Sequence, residues 1–292
     1  MLWYNVIVGD KVRFKVFSSG SDGNSTIVVA NDKKILIDLG ITRKQIALNL
    51  SEMNIDIKDL DAILITHEHT DHIKALPVML KECSIPIYLS RGTLNSIYDT
   101  YKATGKKTLL DLIDKRFNEG SIIILSREEN SFMYQSVNIS GIFVDVLPAF
   151  HDAAEALGFV IHEGEKRLVY ITDTGYVHEN VWPLISNSEA YILESNHDVE
   201  VLMASNRPYS LKRRIASNHG HLSNEQSMVT LANVMGPETK IVLHAHVSQE
   251  CNLSKLIELT REHVFDSYGI DTEGIQFEIL HPYPSKEYNI WK

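Results

Sequence analysis

Cysteine, proline, glycine and long apolar runs are all scarce in this 292-residue sequence, and each scarcity excludes a class of protein. Its two cysteines, Cys83 and Cys251, are too few for a disulfide framework, so we expect reduced thiols in a cytoplasmic protein. With 15 glycines and 8 prolines, no long linker is indicated, and residues 1–292 are expected to form a single domain. No apolar run reaches the roughly 18 residues of a membrane helix, and the start, MLWYNVIVGDKVRF, does not resemble a signal peptide.

Positive charge is also scarce, because 28 lysines and arginines face 38 acidic residues and the net charge is −10. A protein that binds nucleic acid over its whole surface is usually basic, so a local patch or bound metal would have to supply the attraction. The densest basic stretch is Arg207–Arg214, here called the basic segment. Its Arg207, Lys212, Arg213 and Arg214 are candidate contacts to a nucleic-acid backbone, with Tyr209 available for stacking. The alternative is one solvated helix face.

Short runs rich in valine and isoleucine, bounded by turn residues, predict β-strands. The predicted strands are Val12–Phe17, Ser25–Ala30, Lys34–Leu39, Ala62–Thr66, Ile85–Leu89, Ile122–Leu125, Ile142–Leu147, Leu157–Ile161, Arg167–Thr172, Ala190–Glu194, Lys240–Leu243 and Gln276–Leu280. Helical periodicity predicts helices at Thr42–Met53, Asp71–Glu82, His178–Ser186, Ser223–Met235 and Asn252–Ser267. Asn31-Asp32 predicts a hairpin turn. A strand meander followed by alternating strands and helices favours mixed sheets with helices packed outside them.

The strongest chemical signal is the hexapeptide His67-Glu68-His69-Thr70-Asp71-His72. It follows an apolar run that is expected to be a buried strand, and side chains at i and i+2 of an extended chain point the same way. Neutral imidazole and carboxylate are good ligands for zinc, manganese or iron. The sequence therefore predicts a metal site at the end of this strand, rather than a histidine-rich surface loop.

Further histidines and aspartates lie just past other apolar runs, where functional loops are commonly built. They are His151, Asp152, Asp173, His219, His221, His244 and His246. Taken singly, each of them is more often structural or merely exposed. Together with the hexapeptide, they could complete two metal sites.

This pattern resembles the metallo-β-lactamase superfamily, and most closely its YycJ-like (WalJ) exonucleases. The stretches that carry the likeness are Ser18–Asn24, Thr66–Ile73, Ile171–Tyr176, Leu193–Asp198, Gly220–Asn224 and His246–Asn252. The resemblance implies an α/β fold, an αββα four-layer sandwich with the site at the sheet ends. The segments before and after Asp173 leave no room for the β-CASP insert or the protruding arm of other nucleases in the superfamily. Both absences favour the YycJ-like interpretation.

The resemblance also implies roles for individual residues. One divalent ion would take His67, His69 and His151, the other Asp71, His72 and His246, with Asp173 between them. The sequence around His244-Ala245-His246 leaves His244 open as an alternative for the last ligand. Asp71 would also orient the nucleophile, while Glu194 and His221 resemble the pair that shuttles a proton in transfer-RNA 3′-processing enzymes.

Two phosphate-binding elements are candidates beside these ligands. Ser223–Gln226 predicts a capping box that opens a helix, whose free N–H groups suit a phosphate oxygen. The Ser18–Asn24 loop could offer N–H groups similarly, with Asn24 as a substrate contact, or could be a plain tight turn.

The expected function is a binuclear phosphodiesterase that acts as a 5′-to-3′ exonuclease on DNA or RNA, with zinc or manganese as its metal and iron as a third candidate. A small-molecule phosphodiesterase or other metallohydrolase on the same fold is the main alternative. A thioester or lactone hydrolase and a binding protein with an inactive site are further alternatives. No membrane and no obligate protein partner is expected.

Overall fold

Two mixed β-sheets form the framework of this protein in a computed structural model that describes residues 12–290. The strands are β1 (Arg13–Ser18), β2 (Ser25–Ala30), β3 (Lys33–Ile37), β4 (Ala62–Leu64), β5 (Ile87–Ser90), β6 (Ile122–Leu125), β7 (Val137–Ile139), β8 (Ile142–Pro148), β9 (Leu157–Glu163), β10 (Lys166–Ile171), β11 (Ala190–Glu194), β12 (Ile241–Ala245), β13 (Gln276–Ile279) and β14 (Glu287–Asn289). The helices are α1 (Arg43–Glu52), α2 (Thr70–Ile73), α3 (Leu76–Glu82), α4 (Arg91–Ala103), α5 (Lys107–Asn118), α6 (Trp182–Ile185), α7 (Val199–Ala204), α8 (Tyr209–Ile215), α9 (Asn224–Val234) and α10 (Ser254–Tyr268).

Each sheet joins an antiparallel half to a parallel half. The first has the order β14-β1-β2-β3-β4-β5-β6, and its strands are parallel from β3 to β6. The second has the order β13-β12-β11-β10-β9-β8-β7, and its strands are parallel from β10 to β13. Parallel neighbours end at the same edge of a sheet, so polar residues that follow them are brought together there.

Three apolar clusters show the layer order. The central one joins residues of both sheets, such as Phe14 and Leu64 with Phe159 and Leu243. A second cluster packs α1, α3, α4 and α5 on the outside of the first sheet. A third packs α6, α9 and α10 on the outside of the other sheet. Each sheet is thus buried between its partner and a helix layer, and the predicted αββα sandwich is confirmed.

All twelve predicted strands overlap an observed strand, because alternation and β-branched composition are local signals. The hairpin at Asn31-Asp32 is also confirmed: both residues have positive φ, at 46° and 60°. A two-residue turn between β2 and β3 demands that geometry, which asparagine and aspartate tolerate better than most residues.

The predicted helix Asp71–Glu82 is instead two short helices, α2 and α3. Pro77 lies in the first turn of α3, where its missing N–H is tolerated, whereas inside a continuous helix its ring would clash. Helices α4, α5, α7 and α8 and the short strands β7 and β14 lie outside the predicted set. Aromatic and β-branched residues make α4 a weak intrinsic helix, and α5 begins without a side-chain cap.

No helix among residues 12–290 is both long and apolar enough to cross a membrane. The residues at the start of the chain, on which the signal-peptide prediction depends, mostly lie outside the described range. Both cysteines are free thiols, as predicted; Cys251 is buried and Cys83 is half-buried.

Candidate metal centre

The predicted ligands converge where loops leave the two sheets. His67 follows β4 of the first sheet, and His151 follows β8 of the second. Asp173 follows β10, and His246 follows β12. Residues that are far apart in the sequence therefore meet in one polar pocket at the ends of the strands.

Three imidazoles form the first group of potential ligands. One ring nitrogen from each of His67, His69 and His151 lies within 4.8 Å of the other two. The ring centroids of His67 and His69 are 4.6 Å apart, and the ring of His151 is 5.0 Å from that of His69. Rings that meet edge to face at this spacing leave room for one ion between their nitrogens.

Asp71, His72 and His246 form the second group, also within 4.8 Å of one another. Asp173 lies against both groups. Its Oδ2 is 3.2 Å from His72 Nε2, and its Oδ1 is 3.4 Å from His246 Nε2 and 3.9 Å from His151 Nε2. A carboxylate with both oxygens so placed can contact two ions at once.

Hydrogen bonds at the Nδ1 atoms fix the direction of four rings. His72 Nδ1 donates to Asp38 Oδ2 at 2.8 Å, and His151 Nδ1 donates to the Gly220 carbonyl at 2.9 Å. His246 Nδ1 donates to Glu194 Oε1 at 3.0 Å. Each acceptor is a carbonyl or carboxylate oxygen, so Nδ1 carries a proton, and Nε2 is the nitrogen that could bind an ion once it carries no proton of its own. The Thr66 hydroxyl, 3.1 Å from His67 Nδ1, supports the fourth ring.

Buried polar atoms without hydrogen-bond partners indicate that the cluster fits metal ions. His67 Nε2, His246 Nε2 and Asp173 Oδ2 are buried, and within residues 12–290 none of them has a hydrogen-bond partner. Leaving buried polar atoms unpaired costs about 1–3 kcal/mol each. Unpaired nitrogen and oxygen atoms that face one another are what a divalent ion would satisfy. The donor set of the cluster therefore fits divalent metal ions.

The local electrostatics favour ionised carboxylates and divide the imidazoles between neutral and protonated forms. Burial, followed by the nearby His72, lowers the pKa of His67 well below its usual range, which keeps that ring neutral. Burial opposes ionisation of Asp173, but His246 and His72 outweigh it and hold its pKa well below the ordinary value. His246 behaves oppositely: Asp173 outweighs burial and raises its pKa to about 10.

Glu194 and His221 form a close pair beside this cluster. His221 Nδ1 lies 2.7 Å from Glu194 Oε1, and the other carboxylate oxygen accepts from the backbone N–H groups of Thr174 and Leu222. Burial favours a neutral Glu194, but His221 and His246 outweigh it and lower its pKa to about 2. The His221 side chain is 14% exposed whereas Glu194 is fully buried, so only the imidazole can reach a substrate.

The two remaining histidine candidates lie outside the cluster. His244 lies in β12 with its ring stacked on Phe277, and its Nδ1 is 3.1 Å from the Ser195 hydroxyl. Burial lowers its pKa to about 3. His219 is exposed. Of His244 and His246, only His246 lies among the other candidate ligands.

Sequence reasoning missed two residues that support the ligands. Asp38 is fully buried and holds both His72 Nδ1 and the Thr66 backbone N–H, the latter at 2.8 Å. Glu68 accepts the Ala154 N–H at 2.7 Å, which ties the loop of His67 to the loop of His151. An aspartate directly after the buried β3 was the available signal for Asp38.

The left-handed backbone conformation recurs at this site. Asp38, Asp173 and His246 have φ of 61°, 53° and 51°. Residues with a Cβ adopt this conformation at a free-energy cost, so such strain tends to persist where surrounding contacts enforce it. Close packing adds a constraint at Gly40, where a Cβ would lie 1.6 Å from the Asp71 carbonyl oxygen.

The Ser18–Asn24 loop is a tight turn that supports the ligand segment. Asn24 is buried, exchanges hydrogen bonds with the Gly20 backbone, and lies 3.0 Å from His72 Nε2. Backbone N–H groups of Ser19, Gly23 and Asn24 bond within the protein. The prediction that Asn24 contacts substrate therefore has no support in this geometry, because its amide is committed to the turn and the cluster.

The start of α9 is similarly committed. Ser223 and Gln226 form the predicted capping box, and the Asn224 N–H donates to the His197 carbonyl at 2.9 Å. These bonds use N–H groups that a phosphate would need, so the predicted anion contact at this helix has no support in the geometry.

The basic segment includes α8, whose last turn carries Lys212, Arg213 and Arg214. Arg214 Nη1 lies 3.0 Å from Asp152 Oδ2, and Asp152 Oδ1 lies 3.1 Å from His151 Nε2. The helix therefore contacts the rim of the cluster. Arg207 pairs with Glu250 at 2.8 Å, whereas Arg213 is exposed and has no ion-pair partner within the described part of the chain.

Comparison with known proteins agrees with this geometry. Residues 33–245 match the family profile described as Beta-lactamase superfamily domain. Exodeoxyribonuclease YycJ of Bacillus anthracis is 33% identical over 268 residues, which cover 92% of this chain and 94% of the relative. Exodeoxyribonuclease WalJ of Streptococcus pneumoniae serotype 2 (strain D39) is 31% identical over 272 residues, 93% of this chain and 94% of the relative.

Solved structures agree on the fold at lower identity. The metallo-beta-lactamase fold protein YhfI from Bacillus subtilis superposes with a TM-score of 0.64 at 14% identity, covering 96% of this chain and 100% of that one. Human tRNase Z, short form, superposes with a TM-score of 0.62 at 17% identity, and the superposition covers 95% of this chain and 99% of that one. At such identities the likeness shows the fold alone. With the full-length relatives, it shows that the chain belongs to the metallo-β-lactamase superfamily and, within it, to the family of YycJ and WalJ.

Proposed function

We propose that this protein is a metal-dependent exodeoxyribonuclease that removes nucleotides from the 5′ end of DNA. The observation that carries the proposal is the Glu194–His221 pair, at 2.7 Å, beside a cluster of seven candidate ligands. That arrangement occurs in a chain matched over 92% of its length by a protein named an exodeoxyribonuclease.

In this proposal, the cluster would hold two divalent ions. His67, His69 and His151 would hold one ion, Asp71, His72 and His246 would hold the other, and Asp173 is available to both. Zinc and manganese suit this donor set, and iron is a third candidate. When bound, the ions would supply an activated water and stabilise charge on a phosphodiester.

The protein groups then divide the remaining work. Asp71, whose side chain is 23% exposed, faces the pocket and orients the attacking group. His221 donates a proton to the leaving oxygen through Nε2, because its Nδ1 is held by Glu194. Glu194 does not touch substrate; its buried carboxylate accepts from the ring and orients it.

DNA affinity must come from local charge, since the whole chain carries −10. The basic segment is the proposed contact to the phosphate backbone, because Arg214 reaches the rim of the cluster. Of its four cations, Arg213 alone has no ion-pair or hydrogen-bond partner among residues 12–290 that pairing with a phosphate would break.

The first measurement is a nuclease assay with Mn²⁺ or Zn²⁺ on 5′-labelled single- and double-stranded DNA and RNA. Bis-p-nitrophenyl phosphate is assayed in parallel as a small diester. Release of mononucleotides starting at the 5′ end of DNA supports the proposal. Turnover of the small diester without action on any polymer would refute it in favour of a small-molecule phosphodiesterase.

A further inference from the structure

Beside the metal centre lies a group of aromatic rings that the proposed phosphodiester chemistry does not use. We call Phe132, Phe150, Tyr176 and His178 the aromatic platform. The rings of Phe150 and Tyr176 stack with centroids 4.3 Å apart and planes 28° apart. The ring centroids of Phe132 and His178 are 4.8 Å apart, with the ring planes tilted by 54°. The ring centroids of His178 and Phe150 are 6.2 Å apart, with the planes 28° apart.

The platform is not part of the hydrophobic core. Each of its four residues is half-buried, whereas core aromatics such as Phe14, Phe17 and Phe159 are fully buried. Within residues 12–290, none of the four belongs to an apolar cluster of the sandwich. Stacked rings that keep part of their surface exposed are suited to receiving another flat group.

The platform is built on the loops that carry two candidate ligands. Phe150 directly precedes His151, and Tyr176 lies three positions after Asp173. The Phe150 N–H donates to the Thr174 hydroxyl at 3.0 Å, the Gly175 N–H donates to the Phe150 carbonyl at 2.8 Å, and the Thr174 hydroxyl donates to the Tyr176 carbonyl at 2.8 Å. These bonds hold the rings rigidly against the ligand loops.

The loop that follows the basic segment packs against the same place. A Cβ on Gly175 would lie 2.3 Å from the Ser217 carbonyl oxygen, so glycine is needed for this approach. The exposed His219 of that loop lies 6.5 Å from Phe150, with its ring plane at 80°. The platform therefore adjoins the candidate metal ligands on one side and the loop that follows α8 on another.

We infer that the aromatic platform stacks a nucleobase of a nucleotide adjoining the scissile phosphate, and this inference rests on the proposed function. Charges and metals can hold phosphates, but neither recognises a base. Every purine and pyrimidine has a π-face, so stacking accepts any base in turn, as an exonuclease requires. Stacking of one base strengthens binding roughly 5- to 150-fold.

The test compares two 5′-phosphorylated oligodeoxynucleotides that differ only in their first two nucleotides. One carries ordinary bases there, and the other carries abasic tetrahydrofuran residues with the same phosphates. For the metal-loaded protein we expect kcat/KM to favour the base-bearing substrate roughly 5- to 150-fold, mainly through KM. Phe150→Leu and Tyr176→Leu should reduce this ratio towards one.

Tyr268→Leu is the matched control. Tyr268 is 50% exposed and ends α10, before β13 begins, whereas the metal centre lies at the ends of β11 and β12. For Tyr268→Leu, the ratio of kcat/KM between the base-bearing and abasic substrates should equal that of the parent protein. If the platform only braces the ligand loops, its variants will lose metal or activity equally on both substrates, and the unchanged ratio overturns the inference.

A binding measurement separates this inference from the proposed function. An oligodeoxynucleotide with 2-aminopurine at its first position should lose fluorescence on binding the parent protein and less on binding Tyr176→Leu. Quenching without cleavage of any polymer would refute the nuclease proposal and retain the platform. Cleavage with equal kcat/KM for base-bearing and abasic substrates would refute the platform alone.

Discussion

Asp38 illustrates how a residue that touches neither metal nor substrate can control the site. Its buried carboxylate holds the Nδ1–H of His72 and is itself held by the backbone and hydroxyl of Thr66. Burial raises the pKa of Asp38 and opposes its ionisation, although His72 acts in the opposite direction. The carboxylate thereby fixes the tautomer and direction of a candidate ligand.

Asp38→Ala should therefore weaken metal binding about 10- to 100-fold, measured by titration with Mn²⁺ or Zn²⁺. Asp145→Ala is a matched control, because Asp145 is equally a buried aspartate paired with a histidine, His162, at 2.7 Å. It should lose stability without losing metal affinity. Equal metal affinity in Asp38→Ala and the parent protein would contradict the supporting role.

The proton-donor role of His221 is tested against leaving groups. His221→Ala should lower kcat on DNA about 10²- to 10⁴-fold and retain both metals. The loss should be smaller on bis-p-nitrophenyl phosphate, because nitrophenolate leaves without a proton. His67→Ala should instead abolish activity on both substrates by emptying the site. Loss of metal from His221→Ala would identify His221 as a ligand rather than a donor.

Helix α8 shows how a short element can give an acidic protein a cationic contact. Two of its basic side chains are engaged, Lys212 with the Met203 carbonyl and Arg214 with Asp152, while Arg213 projects into solvent. Binding of phosphates releases counterions, so each contact adds to the salt dependence of DNA affinity.

Arg213→Gln should reduce the slope of log affinity against log salt by about 1. Lys44→Gln on α1 removes an equally exposed cation from another helix and should leave the slope unchanged. The slopes come from DNA affinities at four salt concentrations with a catalytically inactive variant. An unaltered slope for Arg213→Gln would indicate that α8 presents a solvated face and does not contact DNA.

Helix α9 depends on its reciprocal cap. Ser223 accepts from the Gln226 N–H, and the Gln226 side chain accepts from the Ser223 N–H. Ser223→Ala should lower the free energy of unfolding by about 1 kcal/mol, measured by urea denaturation. Ser223→Thr keeps the acceptor oxygen and should recover most of that loss; if it does not, the buried packing of Ser223 matters more than its hydrogen bond.

At the scale of the whole molecule, the metal centre joins the two halves of the sandwich. His67 comes from the first sheet, whereas His151, Asp173 and His246 come from the second. An ion bound to residues of both sheets binds the folded chain and not the unfolded one, so it stabilises the whole fold.

Chelation should therefore lower the melting temperature, and adding back Mn²⁺ or Zn²⁺ should restore it. Binding of the ion should raise the free energy of unfolding by about 2.7 kcal/mol when the free ion is at a hundred times its dissociation constant. Differential scanning calorimetry at several free-ion concentrations measures it. His67→Ala should show a much smaller response, and a response equal to that of the parent protein would place the stabilising ion elsewhere.

Within residues 12–290, the sequence by itself determined twelve of the fourteen strands, the hairpin and the central motif of the site. Strand alternation and the Asn31-Asp32 turn are local, and the residues from His67 to His72 are adjacent in the chain. That these residues are candidate ligands follows from residue type alone. The αββα fold entered through resemblance, because spacing does not distinguish it from other α/β layouts.

Only the tertiary structure separated His246 from His244, committed the amide of Asn24 to the turn and the cluster, and brought Asp38 to His72. The same is true of the aromatic platform, whose rings come from three separate loops. These outcomes depend on positive φ at single residues and on contacts between distant strands. Neither leaves a periodic signal in the sequence, because the free energy that enforces them comes from packing of the assembled sandwich.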